Sequence, residues 1–96
     1  MEIMKYTLIY HPDIKKEDLP PIPANIRQRI KHAIETRLLN DPVKFGVPLR
    51  RSLKGSRKLR VGDYRIIYRL KKNTILILKI GHRKEVYYQF EKRAIS

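Results

Sequence analysis

The chain has 96 residues, of which 42% are hydrophobic and 33% charged, with a formal net charge of +14 and no cysteine. That length suits one domain over 1–96 with a single core, and the apolar content argues against disorder. The absence of cysteine excludes disulfide frameworks, Cys-based zinc sites and thiol nucleophiles, and fits a reducing cytoplasm. No apolar run is long enough to span a bilayer, and the N-terminus, MEIMKYTLIY, lacks the basic-then-apolar order of a signal peptide. Neither a membrane nor a cofactor or metal is expected as a partner. Residues 1–49 hold eight Lys/Arg against six Asp/Glu, net +2, whereas residues 50–96 hold fifteen against three, net +12. Charge concentrated in this way points to a polyanion: RNA, DNA, a nucleoprotein particle or a strongly acidic protein.

Residues Ile3 to Tyr10 alternate as a first strand, predicted to lie at an edge or to be well covered. His11-Pro12-Asp13 breaks it, and Asp13 can open a short helical turn that runs to Asp18 or Leu19, before Pro20, Pro21 and Pro23. From Ala24 to Leu39 the spacing of Ile26, Ile30, Ala33, Ile34 and Leu38 predicts a helix, with Pro23 in its first turn and Asn40-Asp41-Pro42 at its end. Its apolar stripe reads as core. The helix is balanced in charge beside the later strands, and no second helix of a helix-turn-helix follows, which argues against a DNA recognition helix. Residues Val43 to Ser56 read as a long connection with the basic pair Arg50-Arg51.

The stretch from Leu53 to Tyr88 holds three strand-like runs. Gly62-Asp63 closes a tight hairpin, so Val61 faces Tyr64, Arg60 faces Arg65, Leu59 faces Ile66 and Lys58 faces Ile67. Leu59, Val61, Tyr64, Ile66 and Tyr68 share an apolar face; Lys58, Arg60, Arg65 and Arg69 share the other. Two arginines directly opposite one another repel, and such a face wants an anion. Lys71-Lys72-Asn73 suits a three-residue loop with Asn73 in the left-handed position. Leu76, Leu78 and Ile80 then join the apolar face, Lys79 falls beside Arg65, and Arg83 continues the basic parity. Glu85 to Ile95 reads as a short C-terminal helix with Val86, Tyr87, Phe90 and Ala94 inward.

The order of elements, with KLRVGDYRIIYR and IGHRKEVY, resembles the RelE/ParE superfamily of type II toxin–antitoxin toxins over most of the chain. The resemblance implies an α+β fold, a twisted antiparallel sheet of about four strands packed against N-terminal helices, with a short C-terminal helix. In the RelE branch it implies a metal-free endoribonuclease that cuts mRNA in the ribosomal A site by attack of the 2′-hydroxyl on the phosphate. The matched positions make Lys58, Arg65, Arg83 and Tyr87 the site, with His82 as a further candidate. A second family lysine, two residues before Lys58, is replaced by Ser56, which leaves the general base to Lys58, His82 or the ribosome's own RNA.

The cations Arg50, Arg51, Lys54, Arg57, Arg60, Lys79 and Lys84 are read as contacts to RNA and the ribosome. The implied partners are a cognate antitoxin, the ribosome and mRNA, with a monomer when free and a hetero-oligomer on the antitoxin. Two other functions compete: a ParE-type inhibitor of DNA gyrase, and a non-catalytic basic RNA-binding module.

Overall fold

The computed structural model describes residues 5–50 and 55–93. Five strands form one mixed sheet in the order β1-β5-β4-β3-β2: β1 Thr7–Tyr10, β2 Val47–Pro48, β3 Ser56–Val61, β4 Tyr64–Lys71 and β5 Thr74–His82. The extra strand over the expected four is β2, a two-residue rung on β3 inside the segment read as a connection. β1 is an edge strand, and it runs parallel to β5, pairing Thr7 with Thr74. The expected beginning of this strand at Ile3 lies outside the described residues.

The two helical stretches before β2 each contain a widened turn. In Ile14–Asp18 the Leu19 N–H donates to the Ile14 carbonyl, and in Ile34–Leu38 the Leu39 N–H donates to the Ile34 carbonyl, both five residues back. The second continues α1, Ala24–Ala33, so the predicted helix is present with a π-helical end. Pro23 stands one position ahead of α1 rather than inside its first turn, and its carbonyl accepts from Ile26 and Arg27. α1 and its extension bury Ile30, Ala33, Ile34 and Leu38 against Leu59, Val61, Ile66, Tyr68, Ile75, Ile77 and Ile80 of the sheet. Each such side chain removed from water contributes about 1.5–3 kcal/mol, which is what holds a short helix in place.

The β3–β4 register is the one counted from the turn, including the Arg60–Arg65 pair. The third strand departs from expectation. Lys71 pairs with Thr74, leaving a two-residue loop, and Lys72, not Asn73, takes the left-handed backbone with φ 56. The register then shifts between Ile67 and Tyr68, so the apolar face receives Ile75, Ile77 and Ile80, while Leu76 falls opposite Arg69 on the other face. A bulge cannot be counted from a turn, because one extra residue reverses the parity of all that follows.

The short helix α2, Val86–Lys92, closes that second face. Val86 is fully buried against Gly81, where an added Cβ would stand 3.3 Å from the valine side chain. Tyr87 and Phe90 are half-buried as expected; Ala94 lies outside the described residues. Among the described residues no helix is long and apolar enough to cross a membrane.

Candidate nucleic-acid interface

Lys58, Arg60 and Arg65 share the strand parity of the sheet face away from α1, as alternation from the Gly62 turn requires, and Arg60, beside the hairpin tip, also borders the α1 side. α2 brings Tyr87 onto this face, and the Lys58 ammonium sits 5.3 Å from the centre of its ring. Such a contact contributes about 0.5–1 kcal/mol at exposed sites and fixes where the cation stands. Arg65 folds toward the hairpin tip, donating from one Nη to the carbonyls of Gly62 at 3.0 Å and Tyr64 at 2.9 Å. Gly62 can present that carbonyl because its φ of 58 is open to glycine.

Arg83 reaches the same tip from the turn after β5. Its backbone N–H donates to the Asp63 carbonyl at 2.8 Å and its Nε lies 3.6 Å from the Asp63 carboxylate. Both groups are largely exposed, so the pair orders the side chain more than it stabilises the fold. From the sequence Asp63 reads only as a turn residue. A signal is nonetheless present, since it is the only acidic residue between positions 50 and 84 in a segment crowded with cations.

His82 pairs with Tyr64 and keeps the apolar parity: its ring meets Tyr64 edge-on at 5.6 Å, and its Nδ1 accepts from the Lys84 N–H at 3.2 Å. It is thus not brought beside Lys58. Arg50 and Arg60 are exposed, Lys84 is exposed in the turn next to Arg83, and Arg51 and Lys54 lie outside the described residues.

Two of the expected RNA contacts are spent inside the fold. Arg57 turns to the core side and donates to the carbonyls of Val43 and Gly46 at 2.8 and 2.9 Å, bracing the loop before β2. Lys79 pairs with Ile67 rather than lying beside Arg65, is only 6% exposed, and donates to Asp18 at 2.7 Å. Asp18 also accepts the Ile80 N–H at 2.9 Å and both Nη groups of Arg93, at 2.7 and 3.0 Å. Burial pushes the Arg93 pKa down, but its hydrogen bonds to Asp18 and the charges of Asp18, Asp13 and Glu17 more than offset this, leaving it raised. The Arg93–Asp18–Lys79 triad therefore pins the end of α2 to the widened turn of residues 14–18. No local sequence pattern announces it, since its members stand 61 and 75 residues apart.

A five-stranded sheet with helices on one side, and on the other a basic face ordered by a turn and closed by a short C-terminal helix, defines a small basic α+β protein. Residues 8–87 match the model of the ParE toxin of type II toxin–antitoxin systems, parDE. The chain is 33% identical over 86 residues to the toxin RelG of Mycobacterium tuberculosis, covering 88% of this chain and 98% of that one. Its structure is similar to the toxin–antitoxin complex RelBE2 from the same organism, with a TM-score of 0.73 and 32% identity over 82% of this chain and 99% of that one. It is also similar to the archaeal RelE–RelB complex of Pyrococcus horikoshii, with a TM-score of 0.65 and 30% identity over 83% and 97% of the two chains. The chain belongs to the RelE/ParE superfamily of type II toxin–antitoxin toxins.

Proposed function

We propose that this toxin is a ribosome-dependent mRNA endoribonuclease of the RelE type, acting in the cytoplasm and held inactive by a cognate antitoxin that covers its sheet and helices. The observation that carries the reading is the Lys58–Tyr87 contact on the face that also holds the Arg60–Arg65 pair. Arg65 and Arg83 are fixed donors for charge growing on the scissile phosphate. The Lys58 side chain is suited to the same task and to protonating the leaving 5′ oxygen. The Tyr87 ring offers a surface on which a base can stack. The 2′ proton needs a different acceptor, since arginine is a poor base and the His82 Nδ1 lone pair is engaged by the Lys84 N–H. Ribosomal RNA fills that role in this reading, which accounts for dependence on the ribosome.

The test is incubation with translating ribosomes and with naked mRNA, followed by mapping of the RNA ends. Cleavage on ribosomes alone, leaving cyclic phosphate ends, is the expected result; equal cleavage of naked mRNA, or none on ribosomes, overturns it. Because the matching family model carries the ParE description, a DNA gyrase supercoiling assay belongs beside it. Inhibition of supercoiling without RNA cleavage makes the protein a gyrase poison.

A further inference from the structure

The helix that reads as charge-balanced beside the sheet is basic: between residues 24 and 38, Glu35 is the one acid against Arg27, Arg29, Lys31 and Arg37. Glu35 sits on the Tyr10 side, where its charge adds to burial in raising the Tyr10 pKa. The other flank carries Asn25, Arg29, His32 and Thr36 at helical spacing, and these, with Arg37, line a groove of about 440 Å³ together with Arg60 and Gly62 of the β3–β4 hairpin. Among the described residues no acidic side chain lines it. Among the described residues the guanidinium groups of Arg29, Arg37 and Arg60 make no hydrogen bond or ion pair.

Gly62 joins this groove to the basic sheet face. Its carbonyl accepts from Arg65, while an added Cβ would meet the Arg29 guanidinium at 3.4 Å. Cations therefore flank the hairpin tip on both sides, Arg83 and Arg65 on one and Arg29 and Arg37 on the other, with Asp63, paired to Arg83, at the tip itself.

We propose that the groove between α1 and the β3–β4 hairpin is a second RNA-backbone site, which holds phosphates of the strand that crosses the hairpin tip. Unpaired guanidiniums gathered in one groove repel until an anion enters, and their planar forks match phosphate oxygens. Asn25 adds a neutral donor. An acidic protein is the poorer fit, because protein interfaces depend on buried aromatic or aliphatic anchors, and the only apolar side chains lining this groove, Ala33 and Val61, are already buried in the core. The inference rests on the proposed function only in taking RNA as the bound polyanion.

The experiment measures binding of a short, uncleavable 2′-O-methyl RNA by fluorescence anisotropy across a series of KCl concentrations. It compares wild type, R29Q/R37Q and the equal-charge control K15Q/K31Q, whose lysines line a different groove on the Tyr10 side. For single strands the salt slope falls by about 0.7 for each phosphate no longer neutralised, so R29Q/R37Q should lower it by about 1 to 1.5 while the control keeps it. Equal slopes in all three proteins, or equal reductions in both variants, overturn the proposal. So does an unchanged RNA slope accompanied by weaker binding of a polyglutamate peptide, which would make the groove a protein site. A wild type that fails to cleave on ribosomes would remove the nuclease reading, and a selective slope change in R29Q/R37Q would still support the groove.

Discussion

The Lys58 ammonium stands over the Tyr87 ring, 5.3 Å from its centre, although the two residues belong to a strand and a helix separated in the chain by β4 and β5. Tyr87→Ala removes a stacking surface worth about 1–3 kcal/mol per base, so ribosome-dependent cleavage should fall about tenfold to hundredfold. Tyr87→Phe keeps the ring and should lose less. Stability should change by no more than about 1 kcal/mol in either variant. A large drop in melting temperature with cleavage per folded molecule unchanged would assign Tyr87 to the core.

Arg65→Ala and Arg83→Ala should each reduce cleavage by about 10² to 10³, the usual cost of losing one fixed donor to a charged transition state. Urea unfolding of the same variants should move by less than about 1 kcal/mol, since Arg83 gives up only an exposed ion pair and Arg65 leaves a face where Arg60 opposes it. Wild-type cleavage rates in both would remove them from the site.

Asp18→Ala should behave in the opposite way. It strips the shared acceptor from Lys79 and Arg93, whose side chains are 8% and 5% exposed, and leaves two buried cations facing one another. Breaking a buried charge network by removing one partner costs about 3–5 kcal/mol, read as a lower urea midpoint. An effect below about 1 kcal/mol would mean that α2 releases without loss to the fold.

Burial raises the Tyr68 pKa, partly opposed by Arg57, and its hydroxyl donates to the Pro42 carbonyl at 2.6 Å. With the folded value above the unfolded one near 10, the contribution of this phenol is complete below about pH 10 and is lost as pH rises through the folded value. Tyr10 is shifted in the same direction. Tyr68→Phe should cost about 1–3 kcal/mol at pH 7 through the unpaired Pro42 carbonyl. It should also flatten the loss of stability above about pH 10, measured by urea unfolding.

The hairpin from Ser56 to Lys71 is legible in the sequence because a two-residue turn fixes register and alternation then assigns every face. Lys58, Arg60 and Arg65 lie where counting places them. Lys79 does not, because the shift between Ile67 and Tyr68 has no signature in a run such as ILILKI, where both parities are apolar. Arg57 has the parity that counting assigns, but its use as a brace depends on where the chain from Pro42 to Gly46 comes to lie. The Asp18 triad depends on tertiary structure alone. Local patterns thus locate the charged residues that face outward from the sheet, and fail for charges whose partners are far away in sequence.

The pairing of Thr7 with Thr74 makes the first strand wait for the last. Until residues 74–82 have been synthesised, β1 has no neighbour, and the apolar stripe of α1 lacks Ile75, Ile77 and Ile80. Arg93, 75 residues beyond Asp18, completes the closure later still. Contacts of such long range carry a loop-closure cost and slow folding. The nascent chain therefore stays incompletely folded through most of its synthesis, and its basic face is assembled only when almost all of the described chain is available, so truncated translation products should carry the charge of this protein without its shape.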